Sequence, residues 1–133
     1  SKRALELAAA YSTSTGKYGR NLSSYQGISF MLAEMYAKTA AAKSAVYSAA
    51  EQYMRRVPQS AVSVAAAKLM STELACEVTK SARQVHGANG LSRAFEVERC
   101  FRDAQMLTIA EGTSEICKII ISNAITDGKE LTI

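Results

Sequence analysis

Apolar side chains recur along this chain at steps of three and four, the period of a helix with one buried face. Residues 1 to about 14 carry Leu5, Ala8, Ala9 and Ser12 on one stripe and begin without a cap, so the chain is expected to enter a helix in its middle, at a cut end. Residues 16–24 are polar and glycine-bearing and read as a loop. A long helix should follow to about Arg56, with a core seam of Ile28, Met31 or Leu32, Met35, Thr39, Ala42, Val46, Ala49 and Tyr53. Its small residues permit close approach of a neighbour, and the methionines at 31, 35 and 54 read as core filler. Val57-Pro58-Gln59 breaks the pattern, because proline lacks a donor and drives its predecessor out of the helical region. Ser60 can cap the next helix, which runs to about His86. Between positions 61 and 70 that helix is apolar or small nearly all round, which predicts a central element covered on several sides. A short helix is predicted near 96–107. A last one runs from Thr113 or Ser114 to about Ala124, where Ile116, Ile119, Ile120, Ile121 and Ile125 leave little polar face. The pattern is that of an all-α bundle.

Composition agrees and narrows the function. At 133 residues the chain is read as one domain, 1–133, with a real core, and 48% hydrophobic and 21% charged residues argue against disorder. A single proline and seven glycines supply too few turns for a sheet protein. No run approaches the roughly 18 apolar residues of a membrane span, and Ser1-Lys2-Arg3-Ala4-Leu5-Glu6-Leu7 is not a signal peptide, so a soluble intracellular protein is expected. Cys76, Cys100 and Cys117 are odd in number and lack any CxxC spacing, as suits buried thiols in a reduced compartment. The net charge of +4 is scattered, with Arg55-Arg56 the longest cluster and no interleaved aromatics, so nucleic acid is not a partner. Glu34 and Glu73 lack the ExxH partners of a di-iron bundle, and no metal is expected.

The chemistry concentrates in two segments. Arg102-Asp103 is followed eight residues on by Glu111-Gly112-Thr113-Ser114-Glu115-Ile116, a carboxylate held by a glycine just before an apolar helix, and such a carboxylate can abstract a proton. Thr113 and Glu115 fall where unpaired backbone N–H groups and the positive end of the helix dipole favour anions or acceptors. The same residues also read as a plain capped helix start, with Glu111 a solvated loop residue. Upstream, Gln84-Val85-His86-Gly87-Ala88-Asn89-Gly90 is a helix end opening into a glycine-punctuated loop. His86 reads as a dipole-compensating or core-edge residue rather than a catalyst, and Arg99, Arg102 and Asp103 as residues that lock the short helix to the bundle.

Tyr25-Gln26-Gly27-Ile28-Ser29-Phe30-Met31-Leu32-Ala33-Glu34-Met35, the segment 84–90, Glu98-Arg99-Cys100-Phe101-Arg102-Asp103 and the segment 109–116 follow one another in an order and spacing that resembles the C-terminal domain of the acyl-CoA dehydrogenases. The similarity covers essentially the whole chain. It implies an antiparallel four-helix bundle with an additional short helix, about one third of an enzyme whose N-terminal helical and middle β domains lie elsewhere. It further implies that Glu111 is the base removing the α-proton of a fatty acyl-CoA thioester while a hydride leaves the β-carbon for the flavin of FAD. The Glu111-Gly112 amide then resembles part of the grip on the thioester carbonyl. Gln84, Gly87 and Ala88 match the segment that reaches the FAD of a neighbouring subunit, Thr113 and Glu115 match positions touching FAD beside the base, and Tyr18 falls where the family has an aromatic by the adenine. A homo-oligomer, dimer or tetramer, an electron-transfer flavoprotein as partner, and a cytoplasmic or, in a eukaryote, mitochondrial-matrix location are implied as well.

Three departures bear on those expectations. Thr15 stands where the family has an arginine that pairs with the FAD pyrophosphate, leaving Lys17 and Arg20 as substitutes. Ala88 replaces the second glycine of the Gln84 loop, and Ala110 replaces the bulky aromatic before the base, which points to unusual substrate selection. They leave room for two further readings: an assembly module that completes a partner's flavin site while holding FAD poorly, and an acyl-CoA oxidase that reacts with oxygen. The 133 residues alone are expected to be inactive.

Overall fold

Helix α3 (Ser60–His86) is the axis of the molecule, and α1 (Lys2–Ser14), α2 (Gln26–Met54), α4 (Glu96–Leu107) and α5 (Ser114–Thr126) all pack against it. The structure is a computed structural model and describes residues 1–128; the last five residues of the expected 1–133 domain lie outside the described residues. Small side chains make the central position possible. Ala65, Ala67, Thr72, Ala75, Val78, Thr79, Ala82, Val85 and His86 are the buried residues of α3, and most are short enough for neighbouring backbones to come close. The buried cluster Ala4, Ala8, Met35, Val78, Ala82, Val85 and Val97 draws on α1, α2, α3 and α4 and is flanked by Leu5, Tyr11, Ile28, Met31, Leu32 and Phe95.

Residues 16–24, expected as a loop, contain more order than that. Gly16–Lys17 (β1) pairs antiparallel with Arg20–Asn21 (β2), and Tyr18 (φ 52°) and Gly19 (φ 77°) form the corner, both with the positive φ that a type I′ hairpin turn demands. A 3-10 turn, Leu22–Ser24, then leads into α2, and the Tyr25 hydroxyl donates to the Lys17 carbonyl at 3.0 Å. Two-residue strands exposed on both faces have no apolar alternation from which to be recognised.

The seam of α2 is observed at Met35, Ala42 and Ala49, but Val46 and Tyr53 are exposed, and Met54 is 83% exposed rather than core filler. Length explains this correction. The 13 residues of α1 span about 20 Å and the 29 of α2 about 44 Å, so α1 covers only part of α2 and the remainder packs chiefly on α3. In the same way the segment 61–70 is not covered all round: Ala65 and Ala67 are buried, while Val64 and Met70 are exposed. Ser60 does not cap α3 either. Gln59 occupies the cap position with a left-handed backbone and no side-chain bond, and Ser60 is the first helical residue, donating its N–H to the Val57 carbonyl at 3.1 Å.

Polar contacts tie the elements together. Lys38 meets Glu77 at 2.6 Å and Ser63 donates to Gln52 at 2.6 Å between α2 and α3. Arg3 reaches both carboxylate oxygens of Glu96 at 3.0 and 3.1 Å, joining α1 to α4, and the Arg83 guanidinium lies 4.1 Å from the Phe101 ring centre. Arg99, Arg102 and Asp103 do not lock α4 to the bundle as expected: Arg99 pairs with Asp103 and Arg102 with Glu98, all within α4. The three cysteines are free thiols, Cys117 buried and the others half-buried; burial pushes the Cys76 and Cys100 thiols up from their ordinary range. Among the described residues no helix is long and apolar enough to cross a membrane.

Two substitutions test this packing by urea denaturation. A Cβ at Gly90 would press into the Arg83 carbonyl oxygen and sit 2.8 Å from Arg83 Cγ, so Gly90→Ala should destabilise by about 2 kcal/mol. Thr39 Oγ1 is buried without a hydrogen-bond partner among the described residues, so the isosteric Thr39→Val should stabilise by about 1 kcal/mol.

Candidate functional site

The residues with chemistry gather at two places along α3. The first is its C-terminal end, where Gly87 takes φ 59° at the cap and a 3-10 turn, Gly87–Leu91, turns the chain away. An open cleft of about 370 Å³ is lined there by the polar residues Thr15, Lys17, Gln84 and Asn89, by Gly87 and Ala88, and by Tyr11, Leu22, Ile28, Val85 and His86. The loop is held firmly. His86 Nδ1 lies 2.8 Å from the Ala82 carbonyl, its ring stacks on Tyr11 with centroids 4.2 Å apart, and Asn89 donates to the Tyr11 hydroxyl at 2.9 Å. His86 is thus a buried structural residue at the core edge. Of the two cations expected to substitute at Thr15, Lys17 lines the cleft, while Arg20 lies over the Tyr25 ring at 5.9 Å. Tyr18, 92% exposed at the hairpin corner, is not part of that lining.

The second place is the turn between α4 and α5. Ala110 N–H closes on the Met106 carbonyl at 2.9 Å and Ser114 N–H on the Thr108 carbonyl at 3.0 Å, so the chain reverses at Glu111 (φ 55°) and Gly112 (φ 98°). A glutamate in the left-handed region costs about 1–2 kcal/mol relative to its usual conformation. The turn therefore carries strain at the residue with the chemistry. Glu111 is exposed, and the N–H groups of Glu111, Gly112 and Thr113 donate to no other group among the described residues. Thr113 is the N-cap of α5 and accepts from the Ile116 N–H at 3.3 Å.

Around this turn the structure brings in residues that the linear sequence did not single out together. The Lys68 ammonium of α3 donates to the Gly112 carbonyl, Ser114 donates to the Glu73 carboxylate at 2.8 Å, and the Cys76 thiol contacts the Ala104 carbonyl at 3.4 Å. A polar cleft of about 390 Å³ is lined by Glu73, Cys76, Gln105, Thr108, Ile109, Thr113, Ser114 and Glu115. The Glu115 carboxyl is held below the usual carboxylate range, first by its own backbone N–H and then by the Thr113 hydroxyl, with the Lys118 and Lys68 ammoniums adding to the effect. Its contribution to the helix start is present above the ordinary carboxylate pKa and is lost only as the pH falls through the lowered value. Lys68 had one signal in the sequence: it is the sole charged residue between positions 61 and 70.

Lys68 and Gln84 are sixteen residues apart on one helix, about 24 Å along its axis. Within one copy, Gln84, Gly87 and Ala88 therefore form one group and Glu111, Gly112, Thr113 and Glu115 another.

Residues 1–126 match the family described as acyl-CoA dehydrogenase, C-terminal domain. The chain is 39% identical over 122 residues to a probable acyl-CoA dehydrogenase, FadE25, of Mycobacterium tuberculosis, a match covering 92% of this chain and 31% of that protein. It is 35% identical over 119 residues to the CarC subunit of the caffeyl-CoA reductase-Etf complex of Acetobacterium woodii, covering 90% of this chain and 31% of that one. The structure of butyryl-CoA dehydrogenase from Megasphaera elsdenii superposes with a TM-score of 0.90 at 35% identity over 94% of this chain and 32% of that one. The chain thus spans about a third of the length of the relatives it matches.

The left-handed turn makes a stability prediction. At an ordinary helical position a change to glycine costs about 1 kcal/mol, whereas Glu111→Gly should leave the melting temperature unchanged or raise it, by up to about 1 kcal/mol of stability. A loss of the ordinary size would mean that the turn is unstrained.

Proposed function

This chain belongs to the acyl-CoA dehydrogenase family, as its C-terminal domain, and from that membership we propose that it supplies the base and part of the flavin site of an FAD-dependent enzyme that oxidises a fatty acyl-CoA thioester between its α- and β-carbons. We read residues 1–133 as a single bundle domain of such an enzyme. The observation that carries the reading is the Glu111 turn: an exposed carboxylate on a strained left-handed backbone, in a run of N–H groups, Glu111 to Thr113, that are unpaired among the described residues just ahead of α5.

In this reading the N–H groups of the Glu111–Gly112 segment donate to the thioester carbonyl oxygen. Oriented backbone donors of this kind contribute about 3 kcal/mol each to a developing enolate, and they acidify the α-proton. Glu111 takes that proton onto a carboxylate oxygen as its C–H bond breaks. Bound FAD would supply the acceptor for the hydride that leaves the β-carbon as the carbon–carbon double bond forms. The acyl chain excludes water from the turn, which strengthens the bonds from those N–H donors to the carbonyl oxygen.

The residues present suit FAD. The Gln84 cleft is open and mixed in character, apolar at Leu22, Ile28 and Val85, with Lys17 in its lining in place of the cation missing at Thr15, a residue suited to a diphosphate. Gln84, Gly87 and Ala88 would hold it from one subunit, with Tyr18 on the nearby hairpin, and Thr113 and Glu115 would meet the flavin beside Glu111 in another. The separation of the two groups along α3 favours this sharing, and the exposed Ile116, Ile119 and Ile120 of α5 offer an apolar face for homo-oligomer contact. An electron-transfer flavoprotein is the proposed acceptor, in line with the complex named for CarC, and the cytoplasm the proposed location. The second reading, a module that completes a partner's flavin site, is favoured by the uncharged Thr15 in the cleft.

The test is an anaerobic visible spectrum of the longer polypeptide carrying this domain, before and after a panel of acyl-CoAs. Bleaching of the flavin bands by one chain length is the expected outcome, and a colourless preparation that stays colourless favours the second reading. Glu111→Gln in that polypeptide should keep its flavin spectrum and lose turnover by about 10²–10⁴-fold. A Glu111→Gln protein that turns over normally removes the assignment.

A further inference from the structure

We propose that Lys68 is a positioning residue for the base: its ammonium, reaching across from α3, fixes the Gly112 carbonyl and so sets the direction in which the Glu111 carboxylate is presented. The inference rests on the reading of Glu111 as the base and adds to it a residue on a different helix.

Three observations converge. Glu111 and Gly112 both have positive φ, and a left-handed glutamate persists only where its surroundings over-determine it. The bonds that close the turn locally lie at its ends, from Ile109 and Ala110 N–H to the Met106 carbonyl and from Ser114 N–H to the Thr108 carbonyl, and none of them reaches the apex. Among the described residues, the Lys68 ammonium makes the one hydrogen bond between another element and the apex pair. It is charge-assisted, and so stronger than a neutral bond of the same geometry.

Lys68 is also well placed to be stiff. It is half-buried, and its stem lines an apolar cleft between α2 and α3 with Val46, Ala49, Val64 and Ala67. Below it, the Glu73 carboxylate accepts from Ser114 at 2.8 Å, so α3 grips the turn on both sides of Thr113. Without Lys68 the Gly112 carbonyl loses its tie to α3, and the left-handed torsions of Glu111 and Gly112, which set where the carboxylate and the adjoining N–H donors point, are no longer held from another element. An error of about 1 Å in a reacting group costs on the order of 10²-fold in rate.

The experiment uses the full flavin-loaded polypeptide and reads the rate of anaerobic flavin bleaching by the acyl-CoA identified above, together with steady-state kcat and KM. Lys68→Met, which keeps the stem and deletes the donor, should hold flavin normally, leave KM unchanged and slow bleaching and kcat by about 10²-fold, the pattern of an interaction needed only in the transition state. Lys68→Arg should restore most of that loss. Bleaching by Lys68→Met at the wild-type rate overturns the proposal. Equal losses in Lys68→Met and Lys68→Arg accompanied by reduced flavin content also overturn it, because they mark a purely structural lysine. Glu111→Gln separates the two ideas: an inactive Glu111→Gln beside a fully active Lys68→Met sinks the positioning role alone, whereas an active Glu111→Gln sinks the base assignment and this role with it.

Discussion

The whole arrangement depends on one helix being thin enough to be surrounded. α3 buries Ala65, Ala67, Ala75 and Ala82 where larger residues would hold its neighbours away, and α1, α2, α4 and α5 use that room to pack against it. A helix packed in this way has few degrees of freedom left. It therefore serves as a ruler, carrying the Gln84 loop at its C-terminal end and touching the Glu111 turn through Lys68 and Glu73 about 17–24 Å earlier along its axis. Chemistry borne on loops gains accuracy when each loop is tied to the same rigid rod.

The two loops are held by different physics. At the Gln84 end, the stacked Tyr11 and His86 rings, the Asn89 bond to Tyr11 and the close fit of Gly90 under Arg83 make a packed, well-satisfied corner. At the Glu111 end the local backbone is strained and the apex is held from outside by a single lysine. Strain concentrated on this turn has a cost in stability that the tight core elsewhere offsets. The thiols near this turn are of another kind: burial favours the neutral form of Cys76, so its stabilising effect is present below the ordinary thiol pKa and fades as the pH rises through the raised folded value.

The exposed apolar surface belongs to the same account. α2 leaves Phe30, Tyr36, Tyr47 and Tyr53 in solvent, and α5 leaves four isoleucines there. Exposed apolar surface of this kind is where a neighbouring chain or domain can lie. In a helical bundle, surface meant for a neighbour and surface meant for the core have the same 3.6 period, so a residue such as Tyr53 falls on the seam by spacing and in solvent by position.

That ambiguity marks the boundary between what was legible in the sequence and what was not. Periodicity, the Val57-Pro58 break and the glycine at 87 were enough for the order and approximate ends of the helices, because those signals act within a turn or two of the chain. The segments 84–90 and 109–116 likewise announced two candidate stations through local glycine and helix-end chemistry. Which side of α2 would be covered depended instead on the unequal lengths of α1 and α2, and the hairpin at Tyr18–Gly19 on two positive φ angles with no apolar pattern to announce them. The contact of Lys68 with Gly112 joins positions 44 apart in the chain, and Ser114 with Glu73 positions 41 apart. Such contacts exist only once α3 has been packed between its neighbours. Local physics decided the elements, and the resemblance singled out the carboxylate; the tertiary structure alone decided which side chains reach the turn that bears it, because that choice is made by distance in space and not by spacing in the chain.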